Sequence, residues 1–84
     1  MAIDYGRLRN VNARKVTSAL LRDGFSLRHQ KGSHRRFVHP DGRRTSISPH
    51  GTSDTFTRKT LKSIIEQTGW TENDLHRLGL LTHH

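Results

Sequence analysis

The apolar residues of this 84-residue chain recur in two rhythms. From Asn12, the stretch "NARKVTSALLRDG" places Val16, Ala19 and Leu20 at 3–4 spacing, continued by Asp23, with Leu21 thickening the stripe. That is the period of an amphipathic helix. Asn12 can cap its start, and Gly24 suits a left-handed C-terminal cap. Phe25, just beyond, is placed to close the stripe.

The period then shortens to two. "FSLRHQ" alternates Phe25 and Leu27 with polar residues, "HRRFVH" carries Phe37 and Val38, and "RRTSIS" carries Thr45 and Ile47. Gly32-Ser33 and Pro40-Asp41-Gly42 punctuate these runs as turns. The pattern predicts a three-stranded antiparallel meander, with strands of about 5–6 residues. Pro49 ends the third strand, and residues 50–56 read as a polar loop. The helical period returns in "TRKTLKSIIEQTG", where Leu61, Ile64 and Ile65 form the apolar face and Gly69 is the stop. "TENDLHRLGLL" reads as a short third helix, with Thr71 as cap and Asp74 three residues on.

The predicted order is α-β-β-β-α with a small extra helix, an α+β fold. Two helices suffice to cover one face of a three-stranded sheet, which leaves the other face open to solvent. Function is to be sought on that open face.

Composition narrows the chemistry. The length predicts one domain, residues 1–84 with a core over about 12–80. Hydrophobic residues are 30% of the chain and aromatics 6%, so the core is small and a large enclosed cofactor cleft is not expected. There is no cysteine, which excludes disulfides and thiolate zinc sites. No run approaches the ~18 apolar residues of a membrane span. "MAIDYGRLRN" lacks the apolar centre of a signal peptide. These features predict a cytosolic protein.

Charge changes the picture most. Fifteen Lys and Arg stand against seven Asp and Glu, a net charge of +8, and eleven of the cations are Arg. The planar guanidinium fork suits phosphate better than the ammonium point charge. The balance points to a polyanion, nucleic acid or an acidic protein. Arg28, Lys31, Arg35, Arg36, Arg43 and Arg44 crowd the hairpin region against one acid, Asp41. Strand alternation puts Arg35 and Arg36 on opposite faces, so the six cannot all meet one ligand. Charged edge strands that resist aggregation are the structural alternative.

Of seven histidines, His29, His34, His39 and His50 fall in the β region, His76 in the last helix, and His83-His84 at the end, as a tag remnant would. Their spacings fit no zinc pattern, so neither a metal nor another cofactor is expected. No Ser/His/acid arrangement for a serine hydrolase appears. Imidazole, however, can take and return protons at neutral pH. RNA carries its own nucleophile in the 2′-hydroxyl. Its cleavage needs a base, cations for the charge on the phosphorane, and geometry. From composition alone, a surface histidine that only hydrogen-bonds phosphate is the stronger reading.

The ordered set Gly24-Phe25, Gly32-Ser33-His34, Phe37, His39-Pro40-Asp41-Gly42, Pro49-His50, Thr60-Leu61 and Ile64-Ile65 resembles the HicA-type (YcfA-like) toxins of type II toxin–antitoxin systems. The resemblance spans roughly residues 13–80. Lys59 stands where a small residue is usual, and the 50–57 loop carries Asp54 rather than a basic run. The resemblance implies a double-stranded-RNA-binding-like fold and an mRNA interferase. It also implies catalysis by His34 and a HicB-type antitoxin that covers the active face.

The expectation is therefore a metal-independent endoribonuclease acting on mRNA. His34 is the expected general base. Lys31, Arg35 and Arg36, with Arg28 nearby, are the candidates to bind phosphate. Gly32 would allow close backbone approach, and Ser33 would orient His34 or donate to phosphate. The general acid stays open between His50, His39, a second molecule and water. A non-catalytic RNA-binding module is the alternative, and a protein-interaction domain meeting an acidic partner is a third.

Overall fold

The computed structural model describes Leu8 and residues 11–48 and 56–81. Pro49, His50, most of the polar loop with Asp54, and His83-His84 lie outside the described residues. The order is α1 (Ala13–Arg22), β1 (Ser26–Lys31), β2 (His34–Val38), β3 (Arg44–Ile47), α2 (Arg58–Thr68) and α3 (Glu72–Arg77). It is the order expected of a double-stranded-RNA-binding-like fold, with an antiparallel sheet in the sequence β1-β2-β3.

Local chemistry sets the helix ends. The Asn12 side chain accepts from the Lys15 amide at 2.9 Å, which satisfies one of the orphan donors at the start of α1. At the other end, the Phe25 amide donates to Leu20 O at 2.9 Å and the Gly24 amide to Leu21 O at 3.2 Å. This double closure is a Schellman motif, and Gly24 takes the positive φ it requires, +104°. Thr57 caps α2, and Gly69, with φ +72°, ends it. Thr71 and Asp74 form a reciprocal capping box on α3.

The apolar faces meet on one side of the sheet. Val16, Ala19 and Leu20 of α1 and Leu61, Ile64 and Ile65 of α2 are buried together with Phe25, Phe37 and Ile47. Trp70, Leu75, Leu78, Leu80 and Leu81 extend this core beneath α3. One expectation is corrected: Leu21 does not thicken the buried stripe but is 53% exposed. It follows Leu20 by 100° around the helix, enough to leave the core side.

The β1–β2 hairpin turns on Gly32-Ser33, with Gly32 at φ +60° and Ser33 on the negative side. That is the demand of a type II′ turn on its first central residue. The β2–β3 turn closes with Gly42 N–H donating to His39 O at 2.9 Å and His39 N–H to Arg43 O at 2.8 Å. Pro40 holds the second position of this turn, and Gly42 adopts φ +98°.

Register decides which side chains share a face. In β2 and β3, Phe37, Thr45 and Ile47 are buried toward the helices, while His34, Arg36, Arg44 and Ser46 face outward. In β1, Leu27 pairs with Phe37, yet His29 pairs with Arg36. Two steps on β1 answer one on β2, so a β-bulge sits at Arg28. Simple alternation would have put His29 on the same side as Leu27. The bulge turns His29 and Lys31 onto the open face instead.

Candidate nucleic-acid interface

The open face is built from the first two strands. Lys31 stands opposite His34, and His29 opposite Arg36. Ser46 lies across from Arg36 on β3. His29, Lys31, His34, Arg36 and Ser46, with Arg35, line a shallow depression of about 260 Å³. Further along, Arg36, Arg44, Thr45, Ser46 and Gln67 line a second depression toward the β3 edge.

His34 is exposed, and its Nδ1 lies 2.7 Å from Ser48 Oγ. Among the described residues, Nε2 makes no hydrogen bond and faces no competing partner. The hydroxyl that orients the ring therefore belongs to Ser48, at the end of β3, and not to the adjacent Ser33 in the turn. If Ser48 Oγ accepts from Nδ1–H, Nε2 is left as the proton acceptor.

The sequence-predicted cations separate into groups. Lys31 and Arg36 join His34 on the open face. Arg28, at the bulge, borders a different depression with Ser26, Val38, His39, Pro40 and Gly42. Arg35 turns to the helix side, where it lines a groove with Ala13, Arg14, Thr17, Ser18 and Leu21. Its Nε is buried without a hydrogen-bond partner among the described residues. Gly32 sits at the turn with open space around its α-carbon, so backbone approach there is unobstructed.

Arg43 leaves the cluster altogether. Its guanidinium donates to Thr68 O at 2.6 Å and to Asp41 Oδ2 at 2.7 Å, lies 3.3 Å from Asp23 Oδ2, and packs over the Phe25 ring. Asp23 also accepts from Trp70 Nε1 at 2.9 Å and from Arg77 at 2.8 Å. Burial pushes the Asp23 carboxyl up, but these donors and the charges of Arg43 and Arg77 outweigh it and hold it below the usual carboxylate value. Asp41 is lowered first by the Arg43 amide and then by the Arg43 guanidinium. Asp74 is lowered first by the Thr71 amide. These acids thus serve the scaffold, and the outward-facing Lys31, Arg36 and Arg44 make no ion pair among the described residues.

His39 also belongs to the scaffold. Its Nε2 donates to Asp23 O at 2.9 Å, its Nδ1 receives the Asp41 amide at 3.1 Å, and its ring packs edge-on against Phe25. With both nitrogens engaged, it is not available to protonate a leaving group.

Sequence reasoning missed two members of this surface. Ser48 was one hydroxyl among many, and no local signal ties it to a histidine 14 residues away. His29 stood as one histidine of the β region, and its face could not be read because a bulge leaves no distinct mark in "FSLRHQ".

Among the described residues, no helix is long and apolar enough to cross a membrane. No curated protein shows significant sequence similarity to the chain. The family model of the HicA toxin of bacterial toxin–antitoxin systems matches residues 13–70. That match runs from the first residue of α1 to Trp70 and so takes in the whole sheet and its histidine face. A helix-backed sheet, an ordered Gly-Ser-His turn and a family match over more than half the sequence converge: the chain belongs to the HicA toxin family, whose members act as toxins with a cognate antitoxin.

Proposed function

We propose that this toxin is a metal-independent endoribonuclease that cleaves mRNA, with His34 as the general base. The observation that carries the reading is His34 itself. It stands on an exposed face among unopposed cations, with Nδ1 bound to Ser48 and Nε2 open. Nε2 takes the proton of the RNA 2′-hydroxyl, and the oxygen attacks the adjacent phosphorus. Lys31 and Arg36 bind the non-bridging oxygens and stabilise the charge that grows on them. A shallow surface is sufficient because RNA supplies the nucleophile and a strand can lie across an open sheet. A HicB-type antitoxin would silence the toxin by covering His34 and placing acceptor groups against Lys31, Arg36 and Arg44.

Purified toxin and its His34→Ala variant, each incubated with single-stranded RNA in EDTA, test the reading. The wild type should yield fragments ending in a 2′,3′-cyclic phosphate. The variant should be slowed by at least about 100-fold, the scale of a lost general base. Intact RNA with the wild type, or equal cutting by both proteins, would reject it. A gel shift without fragments would instead assign the chain to the non-catalytic RNA-binding class.

A further inference from the structure

We propose that His29 is the general acid that protonates the departing 5′-oxygen, a role that rests on the ribonuclease reading of His34. The register makes the case. His29 opposes Arg36 and Lys31 opposes His34, all on the open face. These residues are the corners of a quadrilateral with the two histidines on one diagonal and the two cations on the other. The Arg28 bulge creates this arrangement, since without it His29 would face the helices. Diagonal neighbours on adjacent strands lie about 7–8 Å apart, within joint reach of two imidazoles.

That gap suits a phosphodiester. In-line displacement puts the attacking 2′-oxygen and the leaving 5′-oxygen on opposite sides of phosphorus. Base and acid must then flank the phosphate rather than stack on one side. The Lys31–Arg36 diagonal crosses between them, where the non-bridging oxygens lie. All four residues line the same depression. Neither ring nitrogen of His29 is held by another group among the described residues, in contrast to His39. The charged or titratable groups that share the depression with His29 are Lys31 on its own strand and His34, Arg35 and Arg36 on β2, and Arg28 precedes it at the bulge.

The step balances. His34 Nε2 accepts the 2′-hydroxyl proton as the O2′–P bond forms. The P–O5′ bond breaks, and the 5′-oxygen takes a proton from the His29 imidazolium. The products are a 2′,3′-cyclic phosphate and a 5′-hydroxyl. His34 is left protonated and His29 neutral, and proton exchange with water resets both.

Replacing the leaving oxygen by sulfur gives a direct test, because a thiolate departs without being protonated. The wild type, His34→Ala, His29→Ala and His29→Gln are compared on an RNA the wild type cuts and on the same RNA with sulfur at the 5′-bridging position of the cut linkage. Both His29 variants should slow cutting of ordinary RNA by at least about 100-fold. On the sulfur substrate they should return to within about tenfold of the wild type. His34→Ala should stay slow on both. Normal cutting of ordinary RNA by the His29 variants overturns the proposal while leaving His34 as base. Equal slowing on both substrates also overturns it, since His29 would then only bind or fold. Rescue of His34→Ala instead would reverse the two roles and reject the assignment. A wild type that cuts neither substrate rejects the ribonuclease reading, and this proposal with it.

Discussion

Ser48 Oγ and His34 Nδ1 lie 2.7 Å apart, joining the end of the third strand to the start of the second. This bond engages Nδ1 and leaves the Nε2 edge of the imidazole for substrate. Ser48→Ala should lower kcat for RNA cleavage about fivefold, the value of one hydrogen bond of about 1 kcal/mol, with KM nearly unchanged. Ser48→Thr, which keeps the hydroxyl, should recover most of the loss. Nitrogen NMR of His34 should report a mixed tautomer in the alanine variant alone. A change in KM without change in kcat or tautomer would reject an orienting role.

The sheet faces divide the cations by position. Lys31→Ala and Arg36→Ala should each reduce the salt slope of single-stranded RNA binding by about 0.7, one phosphate contact apiece. Arg35→Ala, on the helix side, should leave the slope unchanged. Binding titrations across a range of salt concentrations measure this. The same loss of about 0.7 in Arg35→Ala would place RNA on the other face.

Two glycines with positive φ should respond differently to alanine. Gly32, at φ +60°, has open space for a Cβ, so only backbone strain of about 1 kcal/mol is expected. At Gly24, with φ +104°, the same atom would come within 2.9 Å of His39 Nε2 and disrupt its bond to Asp23 O. Gly24→Ala should therefore lower the urea midpoint clearly more than Gly32→Ala. Equal effects would mean that His39 does not secure that corner.

Acid should weaken the fold through Asp23. Its folded value lies below the ordinary 3.8, so its stabilising contribution is present above the unfolded value. That contribution is lost as pH falls through the lower, folded value. Asp23→Asn should cost about 1–3 kcal/mol at neutral pH, as Trp70 and Arg77 lose a charged acceptor. Its stability should then fall less steeply below about pH 4, where the wild type protonates. Urea unfolding from neutral to strongly acid pH gives both numbers. Asp41 and Asp74 are also lowered, so some acid dependence should remain in the variant.

Much of this architecture was legible along the chain. Helix periods, caps and glycine stops are encoded within a few residues, because each rests on contacts at i+3 or i+4. Asn12, Gly69 and the Thr71–Asp74 box stand where local chemistry puts them. The turns at Gly32 and Pro40-Asp41-Gly42 follow from backbone preferences in the same way. His34 could be singled out from the ordered motif, and Arg35 and Arg36 could be divided between faces by alternation.

The remaining assignments depended on pairs far apart in sequence. Six clustered cations look alike in composition, but Arg43 is drawn into Asp23, Asp41 and Thr68, and Arg35 turns beneath the sheet. Ser48 becomes the partner of His34 only when the third strand pairs with the second. His29 joins the histidine face because one extra residue is accommodated at Arg28, which inverts the parity of everything after it on β1. A strand's sequence determines that its side chains alternate. Which face each parity occupies is settled by the neighbouring strand, through the hydrogen-bond register that fits Leu27 opposite Phe37 and His29 opposite Arg36.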